Sequence, residues 1–345
     1  MILRVELPTD DLSEAVRQMP AWDRFRGKRI FITGASGFMG RWLLESLCRA
    51  NDQFALGVRI RVLLRRPEEW AASMPHMGGA PIEVVRGDVR DFAWDGAPID
   101  WVVHGAAPVR SAALKAPALD VFDQIVTGTR RVLEVAEQAG ATRFLLLSSG
   151  AVYGKEPMHP SGFCEDDSTG PDPLRADNVY GAGKRAAETL CALFAQRGQL
   201  EPVIARCFAF VGPLLPLEDR FAIGHFLSAA SRGASPCITG IGLDVRSYLY
   251  TTEMAAWLWA LLALGAPGRA YNVGSPKPIT LRDVAAVVAA VANLAPVLSS
   301  ASAGDAAATR YFPDVTRIAN ELGLMQRVEL TEAVRRTLRW IQTAS

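Results

Sequence analysis

The eight residues from Thr33 to Gly40, TGASGFMG, constrain this chain more than any other stretch. They follow KRIFITG, whose β-branched and apolar residues read as a strand ended by glycine. They run into GRWLLESLCRAN, which reads as a helix with Trp42, Leu43, Leu44 and Leu47 on one side. Gly34, Gly37 and Gly40 each have a use at such a junction: a tight turn, a close approach of backbone to a pyrophosphate, and close packing of helix on strand. The helix N-terminus adds free N–H groups and the positive end of its dipole. A glycine triplet alone is weak evidence. With a strand before it and a helix after it, at the head of a βαβ unit, it reads as a dinucleotide-binding turn. Ser36, Phe38 and Met39 join the glycines as cofactor-binding candidates.

The same rhythm continues downstream. VRIRVLLRR, IEVVRGDV, DWVVHGAA, TRFLLLSSG and EPVIARCFAFVGP read as five further strands. Helices are predicted from about Ala118 to Ala139, ended by Gly140, and from about Tyr180 to Gln196, with Gly198 as stop signal. Alternation of this kind predicts an α/β fold: a Rossmann-like, doubly wound parallel sheet covered by helices on both faces. After Gly212-Pro213 the rhythm breaks into a loop and a helix, PLLPLEDRFAIGHFLSAASRG. VRSYLYTT, a helix at 252–264 and RAYNVG then resume β-α-β, and residues 277–345 hold two or three helices around a flexible connection, SSASAGDAAA. The expected organisation is an N-terminal extension over 1–26, one or two helical turns stopped by Pro20. A dinucleotide-binding domain follows over 27–210, to which 243–276 return. A smaller, mainly helical C-terminal substrate lobe comprises 211–242 and 277–345. A chain of 345 residues with 50% apolar and 21% charged side chains can bury a core of that size.

Charge and composition remove several classes of function. Lys+Arg (37) nearly cancels Asp+Glu (36), whereas a nucleic-acid binder carries a basic excess, so no nucleic-acid polymer is expected as partner. Cys48, Cys164, Cys191, Cys207 and Cys237 form no CxxC pair and are odd in number, which suits a reducing cytoplasm better than a disulfide framework. His76, His104, His159 and His225 have no metal-ligand spacing, so no structural metal is expected. The opening MILRVELPTDDLSEAVRQMP is charged early and has no long apolar run, unlike a signal peptide. MAAWLWALLALG, Met254 to Gly265, is too short to span a bilayer and reads as a buried helix; no membrane partner is expected.

The end of the second strand bears on which dinucleotide is bound. An acidic residue there would hold the ribose hydroxyls of NAD, but this chain has Leu64-Arg65-Arg66-Pro67. Arg65 and Arg66 suit a 2′-phosphate through forked, charge-assisted hydrogen bonds, so NADP is favoured over NAD. The alternative is that both arginines are solvated and NAD binds without the acidic contact. Asp88, ending the third strand beside Val89, is placed to accept from the adenine amino group. The small residues Gly105, Ala106 and Ala107 end the fourth and leave room for a cofactor across the sheet edge. Ordinary strand-end turns would explain both.

The fifth strand ends in SSGAVYG, and the next helix opens with Tyr180-Gly-Ala-Gly-Lys184. Tyr180 and Lys184, at i and i+4, share a helix face. An ammonium beside a phenol favours the phenolate, and such a tyrosine can exchange a proton with a substrate oxygen. A serine hydroxyl from the strand end can bind the same oxygen. Gly181 and Gly183 each cost a helix about 1 kcal/mol against alanine, so their presence points to close approach by another backbone or by a ligand.

TGASGFMG, GDV, HGAA, SSGAVYG, YGAGK, RCFAFVGP, RSYLYTTE and YNVG occur in this order over residues 28 to about 275. In that set and order the chain resembles the extended short-chain dehydrogenase/reductases, specifically the nucleotide-sugar epimerase/dehydratase family. The resemblance implies Tyr180 as acid/base, Lys184 as its partner and ribose ligand, and Ser149, three residues before Val-Tyr-Gly, as third member of the set. It implies that Arg246 binds the pyrophosphate of a nucleotide sugar, and it puts Ala209 and Phe210 at the substrate. In the family's cycle the tyrosinate takes the sugar 4-OH proton while C4 gives hydride to the nicotinamide.

Departures from the family pattern bear on the reaction. Dehydratases resembling this chain carry Asp-Glu just before Val-Tyr-Gly, and decarboxylases carry a Glu there; Gly150 and Ala151 transfer no proton. The family's Asn in R-x-F-N is Ala209, and its Gly-Asp-Gly is Gly240-Ile241-Gly242. The Pro-, Gly- and Asp-rich segment 155–177 reads as a loop over the site, with Glu156, Glu165, Asp166 and Asp167 as the acids it offers if they are not solvated. The favoured expectation is a redox epimerase acting at sugar C4. An NADP-dependent ketoreductase of a keto-sugar or other carbonyl, and a 4,6-dehydratase with a displaced acid, stay open. So does a dinucleotide-sensing binding protein, against which the intact Ser149, Tyr180 and Lys184 argue. A homodimer is expected through helices 118–139 and 180–196. Ala186, Ala187, Leu190, Leu193 and Phe194 would cover that face, unless they serve the core.

Overall fold

Seven apolar runs form the strands of one parallel sheet: β1 Arg29–Thr33, β2 Arg59–Leu64, β3 Ile82–Arg86, β4 Trp101–His104, β5 Arg143–Ser149, β6 Glu201–Cys207 and, after four two-residue strands, β11 Ala270–Val273. Their spatial order is β3-β2-β1-β4-β5-β6-β11. Strand order reverses between β1 and β4, the switch point at which doubly wound sheets open a crevice at the strand C-termini. The structure, a computed structural model, describes residues 6–108, 117–154, 160–217, 221–238, 242–298 and 308–344.

Side chains along these strands alternate between two cores, as a period of two dictates. Ile30, Ile32, Leu145 and Leu147 face one core, while Phe31, Phe144 and Leu146 face the other. The first core is covered by helices α1 Thr9–Gln18, α2 Phe38–Phe54 and, later in the chain, α7 Thr251–Leu264; a short α3, Pro67–Ser73, follows β2. The second is covered by α4 Ala118–Gln138 and α5 Val179–Ala195. After Glu253, helix α7 is apolar all round, as suits a helix buried on every side. Its C-terminal carbonyls accept from arginines: Arg143 donates to Leu262 O and Gly265 O, each at 2.7 Å, and Arg24 to Ala263 O at 3.1 Å. Among the described residues no helix is long and apolar enough to cross a membrane.

Helix α1 runs for 10 residues, longer than the one or two turns expected, and ends before Pro20. Trp22 and Phe25, just after it, are buried against Trp259 and Trp101. Residues 6–26 are thereby built into the first core.

The sixth strand differs from its expected length. It stops at Cys207, and a separate two-residue strand, β7 Phe210–Val211, leaves the sheet to pair with β10 Leu249–Tyr250. Between them Phe208 turns its ring into a small aromatic cluster with Tyr153 and Phe163. A third core, of Phe226, Leu227, Val284, Val288, Val334 and Leu338, lies among α6 Ala222–Ser231, α8 Leu281–Val291 and α10 Leu330–Ala344; α9, Thr316–Leu322, stands apart from it. Two strand pairs brace this region, β8 Cys237–Ile238 with β13 Val297–Leu298 and β9 Val245–Arg246 with β12 Ile279–Thr280. Most of the SSASAGDAAA connection lies outside the described residues. Of the residues proposed for a dimer face, Ala187 and Phe194 belong to the second core, while Leu193 is exposed, as are Leu119 and Phe122 on α4.

Candidate active site

The crevice at the switch point is a cavity of about 680 Å³ between the sheet's C-terminal edge and the third core. Most of the sequence-predicted residues meet in its wall. Gly34, Ser36, Gly37, Phe38, Met39, Gly40, Arg65, Val89, Gly105, Ala106 and Ala107 line one end. Ser149, Tyr180 and Lys184 line the middle, and Ala209, Phe210 and Arg246 the other end. Arg66 and Asp88 are not among the lining residues. Arg66 is exposed and pairs with Glu69 at 3.0 Å. Asp88 accepts from Arg90 at 2.8 Å, and that hydrogen bond holds its carboxyl below the usual range.

The glycine turn has the shape of a phosphate cradle. Gly34 has φ +78°, and a Cβ there would stand 2.6 Å from the Gly105 carbonyl carbon, so the turns after β1 and β4 touch through glycine. A Cβ on Gly40 would collide with the Gly34 carbonyl. On Gly37 it would meet only the Gly34 oxygen, at 3.4 Å, and would otherwise occupy cavity space. The glycine backbone and a helix N-terminus thus face the cavity where a pyrophosphate would lie, and the residues fit a dinucleotide.

His104 braces this cradle from below. Ala106 N–H donates to Thr33 Oγ1 at 3.2 Å, and that hydroxyl lies 2.7 Å from His104 Nδ1. On the other side Thr129 Oγ1 lies 3.0 Å from His104 Nε2 and donates its own proton to Ile125 O at 2.6 Å. Thr129 must therefore accept from Nε2–H, which leaves Nδ1 to accept from Thr33. Burial, helped by the Lys184 charge, pushes His104 down to about 3, so the ring is neutral.

Lys184 is buried below Tyr180 and donates to Leu147 O at 2.7 Å, with its ammonium 6.0 Å from the Tyr180 ring centre. Burial pushes Lys184 down to about 8. Gly181 allows this helix to close on the turn after β5: a Cβ there would stand 2.5 Å from Ala151 O. The neighbouring serines have different surroundings. Ser149 Oγ accepts from Ala151 N at 3.2 Å, whereas Ser148 Oγ donates to Glu188 at 2.6 Å.

Glu188 opens a buried network that local sequence does not announce. It holds the Arg206 guanidinium at 2.8 Å, and Arg206 also donates to Tyr153 Oη and to Glu165 O, each at 2.9 Å. Burial opposes the Arg206 charge, but Glu188 outweighs it and the net shift is upward. Tyr153 Oη donates to Asn272 at 2.7 Å, and Glu165 accepts from Asn272 N at 2.8 Å. The one sequence cue was that Glu188 follows Lys184 by four residues.

A side chain at the position after Ser149 would crowd two aromatic rings. A Cβ on Gly150 would stand 2.7 Å from the Phe208 ring and 2.7 Å from Tyr311 Oη. Nor do the described acids of the 155–177 segment line the cavity. Glu165 is in the network, Asp166 pairs with Arg317 at 2.6 Å, and Asp167 accepts from Cys164 N at 2.9 Å. Glu156, like Gly240 and Ile241, lies outside the described residues. At the far end Arg246 donates to Thr309 Oγ1 at 3.0 Å, and Asp244 holds that threonine. Phe208, Tyr248 and Tyr311 also line the cavity; the first two stand within the RCFAFVGP and RSYLYTTE motifs, and Tyr311 had no local signal. Among the described residues no cluster suited to a metal ion is present.

Comparison with known proteins places the chain in a family. The family model described as NAD dependent epimerase/dehydratase family matches residues 30–274. The chain is 26% identical to UDP-glucuronic acid decarboxylase 2 of Arabidopsis thaliana over 317 residues, 92% of this chain and 69% of that protein. It superimposes on epimerase Mth375 of Methanothermobacter thermautotrophicus with a TM-score of 0.78 and 24% identity, over 97% of this chain and 96% of the other, a likeness of fold. MoeE5, solved with UDP-glucuronic acid and NAD, is 26% identical with a TM-score of 0.74, over 92% of this chain and 100% of that one.

Proposed function

Since this chain belongs to the NAD dependent epimerase/dehydratase family and is an enzyme of that type, we propose that it epimerises a nucleotide sugar by transient oxidation at sugar C4. The observation that carries this choice within the family is Gly150. Elimination needs acids beside the serine; Gly150 and Ala151 supply none, and a side chain at 150 would crowd Phe208 and Tyr311. Epimerisation needs only proton exchange at one hydroxyl and a keto sugar that turns before reduction. When bound, the nicotinamide supplies the hydride acceptor and donor. Tyr180 takes the hydroxyl proton and returns it, and Ser149 hydrogen-bonds the same oxygen. The Lys184 ammonium favours the phenolate. Arg246 holds the pyrophosphate, beside Ala209 and Phe210. Incubating the protein with a panel of nucleotide sugars and following products by NMR tests the reading. A 4-epimer formed without net change at 340 nm supports it; stoichiometric consumption of NADPH makes the protein a ketoreductase instead.

Arg65, lining the cavity at the end of β2, supports NADP as the cofactor, with NAD, present in the MoeE5 structure, as the second candidate. Arg65→Ala is expected to weaken NADP about tenfold, the loss of one charge-assisted contact of about 1.5 kcal/mol, and to leave NAD unchanged. Titration by intrinsic fluorescence reads both; equal losses would remove Arg65 from the 2′-phosphate. The division into a cofactor domain and a substrate lobe, and a homodimer through α4 and α5, go with this proposal.

The lysine makes a pH prediction. Burial holds Lys184 at about 8, so it is charged below that pH and neutral above it. Its support for the phenolate disappears as pH rises, and kcat/KM is expected to fall through about pH 8. A profile flat to pH 10 would contradict the assignment.

A further inference from the structure

Helix α1 lies ahead of residues 30–274, the part of the chain that the family model matches, yet it is tied to both sides of the cleft. On one side it belongs to the first core. Leu7, Ala15 and Val16 are buried there, α1 packs on α2 and α7, and Leu7 N–H donates to Glu45 on α2 at 3.4 Å. On the other side two of its carboxylates reach elements of the third core. Asp11 is buried; it accepts from Tyr250 Oη at 2.6 Å and from Arg336, on α10, at 3.3 Å. Glu14 pairs with the same guanidinium, and one turn further along α10 Trp340 Nε1 donates to Glu6 O at 3.2 Å. Burying a carboxylate costs free energy that its hydrogen bonds must offset. Packing on the first core does not call for an acid at position 11, whereas the link to Tyr250 and Arg336 does.

Tyr250 carries that link toward the cavity. It ends the run 245–250, in which Arg246 and Tyr248 line the cavity. Its strand β10 also pairs with β7, whose Phe210 lines the cavity too. We propose that residues 6–18 are a strap between the first and third cores, and that Asp11 is a positioning residue which, through Tyr250, fixes the run 245–250 and with it the substrate end of the cavity. The part that concerns substrate rests on the nucleotide-sugar reading above; the strap itself does not. Asp11 touches no ligand. Cutting its side-chain ties leaves α1 packed on α2, so the glycine turn at the head of α2 keeps its shape.

The test cuts the tie at either end, in Asp11→Ala and in Tyr250→Phe. Hydrogen exchange read by mass spectrometry on the full chain is expected to quicken about tenfold over residues 245–250, with β1 and β2 unchanged. Calorimetry on the NADP-loaded protein uses UDP-glucuronic acid and dTDP-glucose as probes and follows the tighter binder. That probe is expected to bind about fivefold more weakly in both variants, while NADP, titrated on the unloaded protein, changes by less than about twofold. Asp11→Asn, which keeps an acceptor for Tyr250, should recover most of both losses. Exchange over 245–250 that stays at the wild-type rate in both variants, or that quickens equally in β1 and β2, would overturn the strap. Faster local exchange with unchanged probe affinity would overturn the positioning role of Asp11. A wild-type protein that binds neither probe overturns the nucleotide-sugar reading, and the exchange result then decides the strap alone.

Discussion

Tyr180→Phe is expected to lower kcat by about 10²–10⁴-fold, the usual worth of a positioned acid/base. The substitution removes one oxygen and keeps the ring over Lys184, so folding and dinucleotide binding should be unaffected. The expectation rests on three placements. Tyr180 opens α5 at the cavity wall, Lys184 lies one turn below with its ammonium 6.0 Å from the ring centre, and Ser149 ends the adjacent β5. Single-turnover measurement of cofactor reduction separates chemistry from product release. A variant retaining more than a tenth of the wild-type rate would mean that another group moves the proton.

Glu188→Ala should destabilise the fold by about 3 kcal/mol, because it strips the counter-charge from a guanidinium held largely out of water. Arg206 and Glu188 have side-chain exposures of only 15% and 11%, and Ser148 would lose its acceptor as well. Urea denaturation reads the loss as a lower midpoint at constant slope. Glu188→Gln keeps an acceptor for Ser148 and should cost less. A second consequence has a definite sign. The Glu188 charge raises Lys184, so in either variant the descending limb of the pH profile should move below about 8. A limb that stays in place would show that the pair is structural only.

Much of the site was legible because it is local. Strand, glycine turn and helix follow one another within residues 28–54, and the tyrosine and lysine share one helical turn. The helix-breaking Gly181 marks a close approach, and the approaching group is the Ala151 carbonyl. Asp88 shows the limit of such reading. Its strand end was located, but its carboxylate is engaged by Arg90 two residues on, a matter of rotamer that position alone does not express. The length of α1 was underestimated because the stop at Pro20 was visible whereas the packing on α2 and α7 that supports three turns was not.

By itself, then, the amino-acid order determined the alternation of strands and helices, the glycine turn of Gly34, Gly37 and Gly40, and the pairing of Tyr180 with Lys184 on one helix face. Each depends on backbone sterics and periodicities that act over a few residues. Only the tertiary structure decided what surrounds them. Gly150 is closed by Phe208 and Tyr311, which stand 58 and 161 positions further along the chain, and Ser148 is turned to Glu188, 40 positions away. No local rule joins such residues. They meet because β5 and β6 end together at the C-terminal edge of the sheet and the segment tethered to β9 brings Tyr311 to the same place, where a side chain at 150 would crowd both rings.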